Sequence, residues 1–198
     1  FHDPSLDELV HWAHIIDGAL YESPAQCVEL RSPALKLMQV IEGEEDPAFV
    51  EKIIRMLTTS TLDEIVESDA IQAKLEPILK THWETVELIK QRSVADRGVV
   101  SFDLTDTEVA GYNKFIPYYF HPEVTYVVSL TISPFRTKIS VGSNPWAPRP
   151  RTHNIAEICE KYGGGGHAVV GAVSLAPDQI ELGRKYMNEI IETLRFDD

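Results

Sequence analysis

Over residues 1–95 the apolar positions recur at helical rather than strand spacing. Leu9, Trp12, Ile16 and Leu20 form a stripe that predicts a helix over residues 6–20, with Ser5 as its N-cap and Asp7 and Glu8 in its first turn. Similar patterns predict helices over Pro33–Ile41 and Ala48–Leu57, and a short one over Leu62–Val66 after the cap-forming run Thr58-Thr59-Ser60-Thr61. The longest run, Asp69–Ala95, places Ile71, Leu75, Ile78, Val86 and Ile89 near one face, and Pro77 is expected to kink it or to divide it into two helices.

After Asp96-Arg97-Gly98 the period changes. Val99–Leu104 and the β-branched Val124–Ile132 read as strands, and Phe135–Val141 alternates as a hairpin partner for the second across Ser133-Pro134. A short helix is expected near Glu108–Lys114 and a proline-rich loop over Gly142–Arg151. Then come a helix from Asn154 to Lys161, a strand over Ala168–Leu175, and a helix from Asp178 to Leu194 behind Pro177. The fold class is α/β: a mainly helical portion over residues 1–97, then a small mixed α/β domain over residues 98–198.

Between that penultimate helix and the strand after it stand Gly163, Gly164, Gly165 and Gly166, followed by His167. Four glycines are costly to order, and one would suffice to stop a helix. Their backbone amides suit an anion-binding concavity, with His167 beside it to donate to a phosphate oxygen or to transfer a proton. A glycine helix stop followed by a core histidine is the alternative reading.

This run, with Ala168 and with Gly171 four residues after the histidine, resembles the GGGH motif of the DHHA1 substrate domain of DHH-type phosphoesterases. Thr152-His153-Asn154-Ile155-Ala156-Glu157-Ile158 resembles that domain's lead-in helix. The resemblance implies that residues 1–97 are the C-terminal part of a DHH-type catalytic domain with its linker helix, and that residues 98–198 form the substrate-binding domain. The implied activity is metal-dependent hydrolysis of a phosphodiester or phosphoanhydride in a short oligonucleotide, dinucleotide or polyphosphate. A non-catalytic nucleotide- or RNA-binding module is the alternative.

The resemblance also assigns residues. The implied metal is Mn²⁺ or Mg²⁺, held mostly by residues outside this chain, because the family's Asp-x-Asp and Asp-His-His motifs do not occur here. This chain alone is therefore expected to be inactive. Trp12-Ala13-His14-Ile15-Ile16-Asp17-Gly18-Ala19 resembles a late segment of the catalytic domain, which makes Asp17 the candidate metal ligand; its alternative is an Asp-Gly helix end. Asp7, His11 and His14 share a helical face, but no further donor nearby completes a zinc site, and a solvated polar face is the expected reading.

Gly163, Gly164, Gly165, Gly166 and His167 are the candidate phosphate-binding residues, with His167 also the candidate catalytic group. Ser143 and Asn144 match the loop that feeds the same pocket in the family. An arginine usual there is replaced by Gly142. Arg136, Arg149 and Arg151 are the candidate substitutes, because a guanidinium offers phosphate a bidentate fork. Trp146 offers either a stacking surface for a base or an anchor for its own loop.

Charge and composition narrow this picture. The chain has 198 residues and a net charge of −13, which argues against a surface that coats nucleic acid. Residues 124–156 nevertheless carry Arg136, Lys138, Arg149 and Arg151 and no acidic residue, which suits a local phosphate pocket. Only Cys27 and Cys159 are present, so no disulfide framework exists and the cytoplasm is the expected setting. No apolar run reaches membrane-spanning length, and no membrane partner is expected. A homodimer is compatible with the sequence. The start at Phe1, without a methionine, suggests a piece of something longer.

Overall fold

The computed structural model describes residues 6–197; Ser5, the expected N-cap, lies outside them. The chain divides into two compact units between Trp83 and Glu84.

The first unit is helical: α1 (Asp7–Gly18), α2 (Pro24–Glu29), α3 (Pro33–Glu42), α4 (Pro47–Leu57), α5 (Leu62–Glu67) and most of α6 (Asp69–Arg92). Three of these helices begin with proline behind a capping side chain. Ser23, Ser32 and Asp46 accept from the amides of Gln26, Ala34 and Ala48. Thr61 and Glu64 close a reciprocal capping box on α5. The helix α2 was not anticipated, since a helix of six residues starting at Pro24 is too short to display a period. Ala34, Leu37, Val40, Ile53, Leu62, Ile65, Val66, Ile71 and Leu75 form the core of this unit. His82 is buried, and its Nε2 lies 2.8 Å from the Val28 carbonyl oxygen.

The helix α6 runs through Pro77 without a break, so no junction forms there. Burial of Ile71 and Leu75 before the proline and of Val86 and Ile89 after it offsets the ~3 kcal/mol that an interior proline costs. The helix stops at Arg92 rather than Ala95, because Val94–Asp96 is the first strand of the second unit.

That unit is built on one six-stranded sheet in the order β1-β2-β3-β4-β6-β5, with β1 (Val94–Asp96), β2 (Val99–Asp103), β3 (Tyr126–Ser133), β4 (Arg136–Ser143), β5 (Gly165–His167) and β6 (Val170–Leu175). Only the β2–β3 pair is parallel, and α7 (Ile116–Phe120) lies in its crossover. The helix expected at Glu108–Lys114 is absent, and the chain there is irregular. Tertiary anchoring decides this. The Tyr112 hydroxyl lies 2.6 Å from Ser129 Oγ, and Ile116, Pro117 and Tyr118 are buried, which moves the helical turn downstream.

Side chains alternate across the sheet. Val99, Tyr126, Val128, Leu130, Ile139, Val141 and Val173 face one way. They share a core with α8 (Ile155–Glu160) and α9 (Ile180–Leu194) through Ile155, Ile158, Cys159, Met187, Ile190, Ile191 and Leu194. The opposite face is divided. Its β2–β3 half is buried, with Tyr112 packed edge-on to Phe102 at 5.3 Å. Its β4–β6–β5 half is open, so Lys138, Ser140, Ala172, Ser174 and His167 all retain access to solvent.

Candidate functional site

The glycine run begins as a helix stop. Gly163 has φ +77° and donates to the Glu160 carbonyl, and Gly164 donates to that of Cys159. These two bonds form a Schellman motif at the end of α8, and they use the first two amides of the run. Gly165 and Gly166 then continue with His167 as β5, antiparallel to β6 and at the edge of the sheet. The glycines are therefore partly strand, and not simply a junction ahead of one.

Each glycine has its own reason to lack a side chain. A Cβ on Gly164 would stand 2.2 Å from the Ala172 carbonyl oxygen, and one on Gly166 would stand 2.2 Å from that of Val170. These two are required by close backbone packing. A Cβ on Gly165 would meet nothing within 4 Å. That position is bare without any packing reason. His167, on the same face two residues on, is exposed. An edge strand turns alternate amides away from its partner, so backbone donors accompany the bare position.

The two-residue turn Ala168-Val169 that follows is pinned from two sides. The Ile155 amide donates to the Ala168 carbonyl, while both the Ser143 amide and its Oγ donate to the Val169 carbonyl. The topology thus brings Ser143, the start of α8 and the tip of the glycine hairpin to one end of the sheet. The approach to α8 is organised by Tyr126, a fully buried tyrosine whose hydroxyl accepts from the amides of Thr152 and His153 at 2.8 and 3.0 Å. Sequence reasoning missed this residue, since within a run of β-branched residues it reads as one more core position.

The remaining candidates separate. Asn144 is buried; its Nδ2 donates to the carbonyls of Pro122 and Val124, and its Oδ1 accepts from the Trp146 amide. Trp146 packs edge-on to Phe115 at 5.4 Å, which makes it an anchor for its own loop. Arg149 lies over the Phe196 ring at 3.5 Å. Arg151 donates to the His153 carbonyl and stays exposed near the start of α8. Arg136 opens β4, six residues from Gly142, about 20 Å away along the strand. It stands at the other end of the sheet from the glycine hairpin.

Gly142 has a packing reason of its own, because a Cβ there would stand 3.1 Å from the Tyr118 hydroxyl oxygen. Burial pushes the Tyr118 hydroxyl well above the ordinary tyrosine range and that of Tyr112 up to about 12, so both stay protonated around neutral pH.

No protein-family profile matches the chain, and no curated protein sequence does. Solved structures do. A pGpG-specific phosphodiesterase, PggH from Vibrio cholerae, superposes with a TM-score of 0.80 at 20% identity, covering 96% of this chain and 68% of that one. The DHH domain of a member of the s1p family of ribosomal proteins superposes with a TM-score of 0.52 at 16% identity, over 98% of this chain and 52% of that one. The chain has the DHH/DHHA1 fold.

At Gly142, where the resemblance leads one to expect an arginine, any side chain would crowd the Tyr118 hydroxyl. The candidate metal ligand Asp17 is exposed in the last turn of α1, and His11 and His14 are exposed on the same helix. Among the described residues no three His, Cys, Asp or Glu side chains come together as a metal site. The donors present therefore do not compose a centre for Mn²⁺ or Mg²⁺, and no metal-dependent step is assigned to them. Cys27 and Cys159 are free and buried. No helix among the described residues is long and apolar enough to cross a membrane.

Proposed function

We propose that this chain supplies the substrate-gripping part of a metal-dependent phosphoesterase, one that cleaves a phosphodiester or phosphoanhydride in a short oligonucleotide, dinucleotide or polyphosphate. Residues 98–198 act as the DHHA1-like substrate-binding domain, and residues 1–97 as the end of the catalytic domain with its linker helix. The observation that carries the reading is the edge strand Gly165-Gly166-His167, exposed at its last two residues, where one glycine has no packing reason to be glycine. The fold shared with a protein that hydrolyses pGpG supports it. Outward backbone amides and the His167 imidazole meet phosphate oxygens there, with Arg151 the nearest candidate cation along the chain. Ser143 and Asn144 act by shaping the hairpin tip and the loop beside it. Asp17 is the one metal ligand proposed within the chain. The remaining ligands for Mn²⁺ or Mg²⁺ are placed outside it, in a cytoplasmic enzyme.

In the complete protein, pGpG or a short oligonucleotide is expected to turn over with Mn²⁺. His167→Ala should lower that turnover on the order of 10²-fold, the scale of a lost proton-transferring group, without moving the melting temperature. Absence of metal-dependent turnover across dinucleotides, short oligonucleotides and polyphosphate would overturn the proposal. If calorimetry on the same preparation still detected phosphate-ligand binding without metal, the chain would be a binding module instead.

A further inference from the structure

The open half-face of the sheet has a second feature at the end remote from His167. Arg136 and Lys138 lie two residues apart on β4, so they project from the same face, which is also the face of Ser140, Ser174 and His167. Neither cation is neutralised. Among the described residues the Arg136 guanidinium donates only to Ser174 Oγ, at 3.4 Å, and neither it nor Lys138 takes part in an ion pair.

No acidic residue occupies a strand position on this face. Asp96 and Asp103, the only carboxylates on the six strands, are registered opposite Val99 and Leu130 on the other side. Asp103 there accepts from Arg184 at 2.8 Å. In a chain of net charge −13, two adjacent cations on a face with no carboxylate at any strand position are complementary to an anion. Burial and the neighbouring guanidinium both press the Lys138 ammonium toward its neutral form, and an anionic ligand would relieve this.

Beside them, at the tip of the β3–β4 hairpin, Phe135 is 87% exposed. Lys138 pairs across to Ser174 and His167 across to Val170, so the two basic positions are separated by four residues along the strands and by two strands across them. This is about 17 Å, from the rise per residue and the strand spacing. Neighbouring phosphates of one strand cannot reach both positions, but a longer chain lying over Ser140 and Ala172 can.

We propose that Arg136, Lys138 and the Phe135 ring form a distal subsite that holds the phosphate backbone and one base of a single-stranded oligonucleotide whose other end lies on the glycine strand. The ligand class rests on the function proposed above. The subsite itself rests on the register and charge of this face. Cations track the backbone and an exposed aromatic ring stacks on a base, which is how single strands are held without regard to sequence. The consequence is a preference for oligonucleotides longer than two residues.

The test is competition fluorescence anisotropy on this 198-residue chain with oligoribonucleotides of two and five residues and with inorganic polyphosphate. The double variant Arg136→Gln, Lys138→Gln should weaken the pentanucleotide about tenfold or more and make its salt dependence shallower by about 1.4, the loss of two phosphate contacts to a single strand. Its affinity for the dinucleotide should not change. Phe135→Ala should weaken the pentanucleotide about tenfold, the scale of one lost stacking contact. Thermal melting controls for folding, and the single variant Arg136→Gln, at an exposed position, carries the test if the double variant is unstable.

An unchanged affinity and salt slope for the pentanucleotide would overturn the subsite, as would an equal loss for both lengths. A loss on polyphosphate with no effect of Phe135→Ala would make polyphosphate the occupant and overturn the assignment to an oligonucleotide. His167→Ala separates the two proposals. If it leaves dinucleotide binding intact while the double variant still weakens the pentanucleotide, the distal subsite stands and the phosphate-gripping role of the glycine strand falls.

Discussion

The loop from Gly142 to Asn154 and the strand from Gly165 to His167 lie at the same end of the sheet and use their residues in opposite ways. The loop carries several polar and aromatic side chains, and three of them are committed to contacts within the fold. Asn144 holds two carbonyls and an amide, Trp146 packs on Phe115, and Arg149 covers Phe196. The strand has a single functional side chain, and it is exposed beside a bare backbone. Residue type alone would have ranked the loop higher. What distinguishes a site from a scaffold here is the interaction capacity left over once the fold has been satisfied.

That contrast can be broken by mutation. The largest effect should come from Asn144→Ala, which strands two carbonyls and an amide in the interior. A loss of about 3 kcal/mol is expected, read as a lower denaturant midpoint. Next is Gly166→Ala, where a methyl group would meet the Val170 carbonyl oxygen at 2.2 Å and the φ of +153° disfavours a side chain. This should cost about 2 kcal/mol by the same measurement. Gly165→Ala sharpens the comparison. The position is open, so stability should hold within about 0.5 kcal/mol, while calorimetry with a dinucleotide should show about tenfold weaker binding as the methyl lifts the ligand from the backbone. If Gly165→Ala leaves binding unchanged, the strand is scaffold as well.

The smallest effect lies in the first unit. Burial holds the His82 pKa below its ordinary 6.5, although the Val28 carbonyl acts in the other direction. Below pH 6.5 the unfolded chain therefore binds a proton that the folded chain resists, and stability falls as pH drops through that window. Melting temperatures between pH 7.5 and pH 5 should show this decline. His82→Gln, which keeps a donor for Val28, should reduce its slope.

The helices were largely legible in the sequence, because an amphipathic stripe and a capping residue are local features. Ser32, Asp46, Thr61 and Asn154 each cap the helix that follows them. The two strands of the β3–β4 hairpin were legible for the same reason, through alternation and a short turn. The chain as a whole also carried its fold class, and the glycine-histidine run carried its family resemblance.

Three things were settled only by tertiary structure. Pro77 is tolerated because apolar burial on both sides outweighs a local penalty. The helix near residue 110 moves to Ile116 because Tyr112 and Tyr118 are drawn under the sheet. Most consequentially, strand register sent Arg136 to the far end of the face from His167, with Lys138 beside it, and the side chain of Asn144 is spent on the carbonyls of Pro122 and Val124 and the amide of Trp146. Local sequence encodes which groups exist and which turns they favour. Which groups are left without a partner depends on pairings between residues distant in the chain, and these exist only once the sheet has formed.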